Sequence, residues 1–600
     1  MIQIIDPRKG DAEDDASSTK RRSLFALAGS LVAEISLPKL VLAWVLLIGL
    51  PGFLLGIVPL VGSAWLGKVS THASAFFTGI WYVVIVLVLA VLGWLGGKPA
   101  FRLFENSFWS LQALGIQPAY AICREALRHL LEGFLPSGIA TAKRNTIRAA
   151  GAAMSGVLIG AAAFGLAAVA WPASRWVGSL ADLTSLHLLV PIAFANAVVV
   201  MGIYFAFAAL TWGIADAAMA QPRDLFSFAT CSEDGRKWRV AHLSDIHVVG
   251  ERYGFRVESG RSGPQGNERL ALAMAKLDAI HATNPLDLVL ITGDITDAGR
   301  SAEWAEFFGV LVQYPRIASL VLCLPGNHDL NVVDRANPAR LDLPMSPKKR
   351  LRQVRTISAL SAVQGASVRI FDRETQRLGQ TLEKSLESHK AEIAAFADKG
   401  SIGLSISLAQ LWTVMFPMVK PPNTDDGLGI IILNSNAETH FSFTNALGMV
   451  SSEQAKAIDA IADQYPHAYW IVALHHHLVE YPKPVKKLSE RIGTALINGS
   501  WLMRHLGRLD DRAVVMHGHR HIDWMGECGG LVIISAPSPV MGGTDDCDTY
   551  FYIHTLTRAA GGKLGLLTPE RVDLPGRRSA DGPEARENYA GSCGEIHDQF

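Results

Sequence analysis

The chain has 600 residues, of which 49% are hydrophobic and 18% are charged, and its formal net charge is zero. This length is too great for a single hydrophobic core, and the balanced charge argues against a nucleic-acid polymer as a partner. The scattered cysteines contain no CxxC pair, which argues against a zinc knuckle and predicts free thiols in a reducing compartment. They are Cys123, Cys231, Cys323, Cys528, Cys547 and Cys593.

Nearly all of the long apolar runs lie in roughly the first 215 residues. Four runs are each long enough to cross about 30 Å of hydrocarbon, which takes about 20 helical residues. None of these runs carries an ionisable residue at its centre, whereas the helices of transporters and proton relays normally do. We therefore predict a cytoplasmic segment over 1–38 and a four-helix membrane anchor over 39–218. Its spans are expected at about 40–61, 75–95, 149–171 and 188–212.

The flanks of these runs alternate in their content of lysine and arginine. The segments before the first run, between the second and third, and after the fourth are basic, whereas the other two connections contain only Lys68 and Arg175. Because basic flanks stay in the cytoplasm, both termini and everything after residue 220 should face the cytoplasm, as in a multi-pass inner-membrane protein. Residues 101–134 mix aromatic and charged side chains, which fits either an amphipathic helix in the membrane interface or a cytoplasmic helical hairpin.

From about Lys237 onward, β-rich runs that end in polar turns alternate with helical segments. This alternation predicts an α/β domain over 237–560, in which ligands bind where strands end. Residues 331–425 interrupt it with amphipathic helical segments, so we expect a helical cap insertion at the rim of the site. Its basic run KKRLRQVR is either a solvated helix face or a contact for lipid headgroups or substrate phosphates. The polar tail over 575–600 is predicted to be disordered.

Five polar clusters follow β-rich runs in the order SDIH, GDITD, GNHD, LHHH and GHRH. Any one of them alone would more often be a turn or a core histidine, but five in this order are not explained that way. Carboxylate, amide and imidazole ligands together suit Mn²⁺, Fe or Zn²⁺, and a shared carboxylate can hold two ions about 3.5–4 Å apart. The sequence therefore predicts a centre with two divalent metal ions.

The order D-x-H, GD, GNHD, H and GHxH resembles the calcineurin-like metallophosphoesterase superfamily, and GNHD and LHHH most resemble its class III cyclic-nucleotide phosphodiesterase branch. This resemblance covers roughly 237–560 and implies two mixed β-sheets sandwiched by helices. It also implies a metal-bridging hydroxide that attacks phosphorus in line. By the same resemblance, Asp245, His247, Asp294 and His521 would hold one metal, and Asp294, Asn327, His475 and His519 would hold the other.

The resemblance assigns further roles within the site. His328 would stabilise or protonate the leaving oxygen and Asp329 would orient it, while Asn327, His328 and His476 would contact the substrate. Two features depart from the pattern. Leu478 follows the histidine run where this branch often has proline. The lipid A precursor hydrolases of the superfamily usually have arginine at the position of His328, which disfavours that activity.

These features predict a membrane-anchored dimetal phosphohydrolase that acts on a phosphodiester or a phosphomonoester. Two alternatives stay open: a phosphoesterase for lipid-linked substrates at the cytoplasmic membrane face, and a non-catalytic membrane sensor of metal or nucleotide. Neighbouring side chains alternate between the faces of a strand, so the three adjacent histidines are not equivalent. In the family that the motifs resemble, the ligand is the first residue after the strand, which favours His475. His476 projects to the opposite face, and His477 shares the face of His475 only if the strand continues.

Overall fold

The computed structural model divides into two compact units, one over Ser36–Met219 and one that begins at Ala220. The predicted amino-terminal segment, most of the second apolar run and the tail after 576 lie outside the described residues. Apart from isolated positions between 38 and 49, the structure describes residues 50–76, 117–136, 139–179, 185–230, 236–257, 263–331, 346–439, 445–482, 496–541, 547–559 and 562–576.

The regular elements in the described part of the first unit are all helices. Apolar stretches at Leu50–Gly67, Thr141–Ala173 and His187–Ala217 are long and apolar enough to cross a bilayer. They correspond to three of the four predicted spans. Small residues let the helices approach closely, since a Cβ on Gly156 would lie only 2.7 Å from the carbonyl oxygen of Ala209. The helices are α1 Leu50–Phe76, α2 Gln117–Gly133, α3 Thr141–Ala170 and α4 Leu186–Ala217.

The second unit contains two mixed β-sheets, which confirms the predicted α/β class. One sheet has the order β1-β11-β12-β10-β9-β8-β7-β5-β6, and the other has the order β14-β13-β2-β3-β4, with β15 paired to β13. The strands are β1 Arg223–Asp224, β2 Lys237–Leu243, β3 Leu288–Ile291, β4 Val321–Cys323, β5 Arg369–Asp372, β6 Arg377–Thr381, β7 Met418–Lys420, β8 Leu428–Ile432, β9 Tyr469–Ala473, β10 Ala513–His517, β11 Trp524–Cys528, β12 Leu531–Ser535, β13 Thr549–Arg558, β14 Leu564–Leu566 and β15 Glu570–Leu574.

The helices of this unit connect and cover the strands. Those before the insertion are α5 Glu268–Thr283, α6 Ser301–Leu311, α7 Pro315–Ala318 and the single turn α8 Asn327–Leu330. Those within it are α9 Pro347–Gln364, α10 Leu382–Glu387, α11 Lys390–Lys399, α12 Ile402–Ser407 and α13 Ala409–Val414. Those after it are α14 Ser452–Gln464 and α15 Gly499–Leu506.

The central strands of both sheets are parallel and buried. All residues of LVLI in β3 and of YWIVA in β9 are buried, as expected for strands covered on both faces. Strands β2, β3 and β4 run parallel in one sheet, and β8, β9, β10 and β12 run parallel in the other. Ligands of open α/β sheets bind beyond the carboxyl ends of such strands, and the polar clusters follow β2, β3, β4, β9 and β10.

The predicted helical insertion contains helices in its described part, residues 346–425, but it also contains three strands that were not predicted. Strands β5, β6 and β7 extend the larger sheet, and β7 pairs antiparallel with β8. These strands have only three to five residues, and β6 has the polar sequence RLGQT, so they lack the alternation that marks a strand in sequence. The insertion is therefore part of the sheet framework.

Helix α9 ties the insertion to the core of the unit. Val354, Ile357 and Leu360 belong to the main hydrophobic cluster. At the end of the helix, the buried amide of Gln364 accepts from the backbone N–H of Cys323 (2.7 Å) and donates to its carbonyl oxygen (3.0 Å). Both backbone groups of a β4 residue are thus satisfied by one side chain of the insertion.

Two further features differ from the sequence-based expectations. The smaller sheet continues to Leu574, beyond the predicted domain end at 560, because β14 and β15 pair with β13. Cys547 is disulfide-bonded, so the expectation of free thiols is wrong at that residue, whereas Cys123, Cys323 and Cys528 are free. Spacing in sequence carries no information on which scattered cysteines meet in the fold.

We predict that Gln364→Leu destabilises the second unit. The substitution leaves two buried backbone groups of Cys323 without their partner, which costs about 1–3 kcal/mol for each group. Thermal unfolding of the full chain in detergent should show a transition lowered by several degrees. Gln313→Leu is the matched control, because that glutamine is exposed and bonds only within its own helix turn. Equal transitions for the two variants would contradict the role of α9.

Candidate metal centre

The turns that carry the predicted ligands share an uncommon backbone conformation. Five of the seven predicted metal ligands have φ between 47° and 77°, in the left-handed region. Among the other described residues, Gln376 is the only non-glycine residue with positive φ. This conformation is costly for residues with a Cβ and persists where the surrounding structure enforces it, commonly at functional sites. The five residues are Asp245, His247, Asp294, His519 and His521.

The turns after β2 and β3 are locked together by their backbones. His247 N–H donates to the carbonyl oxygen of Asp294 (2.9 Å), and Asp245 N–H donates to that of Gly293 (3.1 Å). Gly293 has φ of 95°, and a Cβ there would lie 2.5 Å from His475 Nδ1. A side chain at this position would therefore displace His475, a predicted ligand.

One group of predicted ligands converges on His475. Its Nδ1 donates to the carbonyl oxygen of Thr292 (2.7 Å), so in the neutral ring Nε2 carries a lone pair. That Nε2 lies 3.2 Å from each of three atoms: Asp294 Oδ2, Asn327 Oδ1 and His519 Nδ1. Four atoms that can all act as electron-pair donors thus face one another in a buried space, which fits a cation among them.

The other group adjoins the first through Asp294. His521 Nε2 lies 3.4 Å from Asp245 Oδ1, and His247 Nε2 lies 3.7 Å from Asp294 Oδ2. Both ring nitrogens of His247 are buried and have no hydrogen-bond partner in the described part of the chain. In each of the triads Asp245–His247–His521 and Asp294–His475–His519, the candidate ligand atoms lie within 4.8 Å of one another.

The electrostatics of the site favour an ionised carboxylate at Asp294, a neutral imidazole at His519 and a proton on His475. Burial alone would raise the pKa of Asp294, but His475, His328 and His247 hold it well below its usual range. Burial, with neighbouring histidines, lowers the pKa of His519 well below its usual value. Burial would also lower the pKa of His475, but the charge and hydrogen bond of Asp294 raise it to about 9. A cation in place of that proton would satisfy the same carboxylate.

The GNHD turn supplies Asn327 and His328 to the same place. His328 N–H donates to Asp294 Oδ1 (2.8 Å), and its Nδ1 donates to the carbonyl oxygen of Asp297 (2.7 Å). The prediction that Asp329 orients the ring of His328 is wrong. The Asp329 carboxylate accepts from the backbone N–H and hydroxyl of Thr296 (2.8 and 2.6 Å) and from Gly326 N–H (2.8 Å), so it holds two turns together.

Asp297 is a site residue that the sequence reasoning missed. Its Oδ1 lies 3.3 Å from His247 Nδ1, and its Oδ2 accepts from Val257 N–H (2.6 Å). Its carbonyl oxygen accepts from His328 Nδ1, so one residue lies beside a predicted metal ligand and holds the predicted catalytic histidine. The signal was present in GDITD, where Asp297 follows Asp294 by three residues.

The three adjacent histidines have different surroundings. His475 lies in the ligand group, whereas His476 bonds Ser435. Ser435 Oγ accepts from the N–H groups of His475 and His476 (3.1 Å each), which uses both of its lone pairs. Its own proton therefore goes to His476 Nδ1, 2.9 Å away. His477 Nε2 lies 3.9 Å from Glu480 Oε2. His476 and His477 are thus directed to protein partners.

Residues 239–400 match the family model described as calcineurin-like phosphoesterase. This part of the chain is therefore a calcineurin-like phosphoesterase domain, and it includes the first three ligand turns. No curated protein matches the chain.

Among solved structures, similarity is found to a protein described as a 5′-nucleotidase from Staphylococcus aureus, with 13% identity and a TM-score of 0.30, covering 60% of this chain and 58% of that one. The NAD nucleotidase of Haemophilus influenzae has 12% identity and a TM-score of 0.30, with 57% of each chain covered. A purple acid phosphatase from yellow lupin has 12% identity and a TM-score of 0.25, with 59% of this chain and 57% of that one covered. The chain thus spans less than three fifths of each of these structures.

We predict that His475→Ala removes one of two bound metal ions and that His476→Ala and His477→Ala retain both. Of these three histidines, only His475 directs a ring nitrogen at Asp294 and Asn327. The test is to load each purified full-length variant with Mn²⁺ or Zn²⁺ and to measure its metal content by mass spectrometry. Loss of an ion from the His476 variant, with both retained in the His475 variant, would show that the ligand assignment is wrong.

Asp297→Asn should weaken metal binding by about 10- to 100-fold, as is typical when a carboxylate behind a metal-bound histidine is lost. The amide keeps the shape of the carboxylate but removes the charge that faces His247 Nδ1. Metal titration of the full chain by calorimetry measures the effect. Asp278→Asn serves as the control, since Asp278 forms a surface ion pair with Arg316. Unchanged affinity in the Asp297 variant would exclude the positioning role.

Proposed function

We propose that this protein is a membrane-anchored phosphohydrolase with two divalent metal ions, of the Mn, Fe or Zn type. The observation that carries the proposal is the convergence of the predicted ligands around Asp294, with His328 bonded to the same carboxylate. The match of residues 239–400 to the calcineurin-like phosphoesterase family supports the same chemistry. The non-catalytic sensor reading has less support, because the ligand groups and His328 are all in place.

Each residue has a defined task in this proposal. Asp245, His247, Asp294 and His521 would hold one ion, and Asp294, Asn327, His475 and His519 would hold the other. When bound, two such ions supply an activated water as nucleophile and neutralise negative charge on the phosphoryl group. The chain itself orients the ring of His328 for proton transfer, because its Nδ1 donates to the carbonyl oxygen of Asp297.

The proposed substrate class is a phosphodiester, as in the class III cyclic-nucleotide phosphodiesterase branch that the motifs resemble. A phosphomonoester uses the same machinery and remains within the proposal. A phosphoesterase for a lipid-linked substrate is the second candidate, favoured by the three apolar helices that are long enough to span a membrane. Histidine rather than arginine at position 328 separates the chain from the lipid A precursor hydrolases.

Turnover of a substrate panel tests the proposal. Purified full chain with Mn²⁺, Fe²⁺ or Zn²⁺ should hydrolyse bis-p-nitrophenyl phosphate or a cyclic nucleotide, and chelation with EDTA should abolish the activity until metal is restored. Asn327→Ala should lose the activity with the overall fold preserved. Faster hydrolysis of phospholipids would favour the lipid-linked candidate. Failure to hydrolyse any substrate, despite two bound ions, would overturn the proposal and favour the sensor.

We also propose that the phosphoesterase domain faces the cytoplasm, on the basis of the lysine and arginine pattern of the flanks. The disulfide at Cys547 argues in the opposite direction, because disulfides persist in oxidising compartments. Reporter proteins fused to the carboxyl terminus of the full chain, expressed in a bacterial inner membrane, distinguish the cytoplasmic from the non-cytoplasmic placement. A green fluorescent protein fusion should fluoresce and an alkaline phosphatase fusion should be inactive. The reverse result would place the domain, with its disulfide, outside the cytoplasm.

A further inference from the structure

Helix α2 has a polar face that points into the protein. Tyr120, Arg124, Arg128 and Glu132 recur every four residues and so share one face of the helix. Tyr120 is 1% exposed and Arg124 is 8% exposed. The side chains of Arg128 and Glu132 are 11% and 6% exposed. Charged residues are rarely buried unless they are paired, so this face requires partners on the neighbouring helices.

The opposite face of α2 is apolar and exposed. A second row of positions with four-residue spacing contains Ile122 and Leu130 on the helix and Phe134 just after its end. This row is offset by two residues from the first row, which places it about 200° around the helix axis. They are 50%, 57% and 85% exposed. A surface helix of a protein in water shows the reverse arrangement, with its apolar stripe inward. The pattern of α2 is that of a helix whose outer surroundings are apolar.

The buried face forms ion pairs with α4. Arg124 Nη1 lies 2.5 Å from Asp216 Oδ2, and the hydroxyl of Tyr120 donates to the same oxygen at 3.0 Å. Arg124 Nε lies 2.7 Å from Glu125 Oε1, which Arg128 also approaches at 3.1 Å. One end of α2 is thus fixed to the last turn of α4.

The buried face also forms ion pairs with α3. Arg148 pairs with Glu132 through its Nε, and its carbonyl oxygen accepts from Arg128 Nε at 3.3 Å. The cluster as a whole joins three arginines, Arg124, Arg128 and Arg148, to three carboxylates, Glu125, Glu132 and Asp216. Its formal charges cancel, which is the condition under which buried charges are tolerated next to a bilayer.

The contacts also give the level at which α2 crosses α3. The hydroxyl of Tyr120 lies 3.4 Å from the carbonyl oxygen of Ala152, and a Cβ on Gly151 would lie 3.5 Å from Arg128 Cγ. Helix α3 carries its charges before this level and becomes apolar from Ala149 onward. The crossing therefore lies at the boundary between the polar and apolar parts of α3, where a membrane interface would be.

We propose that α2 lies in the membrane interface, with its exposed apolar face against lipid acyl chains and its polar face closing the ends of α3 and α4. The occupant is the lipid bilayer because the two helices that α2 contacts are long and apolar enough to cross a membrane and expose apolar side chains themselves, with Val157 and Phe207 56% and 67% exposed. For the described part of the 101–134 segment, residues 117–134, the proposal selects the interfacial helix over the cytoplasmic hairpin. It does not rest on the catalytic proposal.

Spin labels on the full chain in lipid vesicles test this placement. The reactive cysteines of the chain are first replaced by serine. A single cysteine is then introduced at Leu130, Phe207 or Val312 in separate variants. Phe207 on α4 is the lipid reference, and Val312, 79% exposed in the second unit, is the aqueous reference. The spin label at 130 should collide more often with oxygen, which concentrates in lipid, than with a water-soluble nickel complex. The label at 207 should show the same preference. A preference for nickel at 130, as at 312, would overturn the proposal.

A charge substitution provides a second readout that needs no cysteine replacement. Leu130→Glu should lower the thermal unfolding temperature of the full chain in vesicles, because the carboxylate would enter an apolar environment. Val312→Glu is the matched control and should leave it unchanged. If Leu130→Glu matches the control, the face of α2 is exposed to water and the proposal is wrong. If Leu130→Glu does not insert at all, the spin label at 130 decides between the two environments.

Discussion

The carboxylate of Asp294 is the group on which the candidate centre depends. Its Oδ1 accepts from His328 N–H at 2.8 Å, and its Oδ2 lies 3.2 Å from His475 Nε2 and 3.7 Å from His247 Nε2. A buried carboxylate is costly unless positive groups or donors surround it. The histidines that meet this need come from different turns of both sheets. One oxygen thereby faces both ligand groups, which is the arrangement that a carboxylate shared by two cations requires.

Buried charge is balanced differently in the two units. In the cluster on α2, three arginines pair with three carboxylates, so the formal charges cancel within the protein. In the phosphoesterase unit, His475 Nε2 faces oxygen and nitrogen atoms that can also donate electron pairs, and His247 has ring nitrogens without hydrogen-bond partners among the described residues. The first arrangement is balanced by charges of the protein itself. The second has the arrangement of donor atoms that a bound cation requires, and this difference separates a positioning cluster from a candidate reactive centre.

The sequence predicts the α/β class and marks the ligand turns, because carboxyl ends of neighbouring parallel strands meet at one edge of a sheet. It does not reveal Asp297, since an acidic residue in a turn also fits simple solvation. The sequence does not predict the strands β5–β7, because these short strands lack the alternation that marks a strand in sequence. The role of Asp329 was misassigned because adjacency to His328 in sequence does not fix where its carboxylate points. The disulfide at Cys547 depends on tertiary proximity alone.

The claim that Asp294 is shared by two cations is tested most directly by element-specific anomalous diffraction from crystals of the manganese-loaded full chain. The account predicts two anomalous peaks, one on each side of the Asp294 carboxylate, with His247 and His521 at one and His475 and His519 at the other. A single peak, or peaks that do not adjoin Asp294, would contradict it.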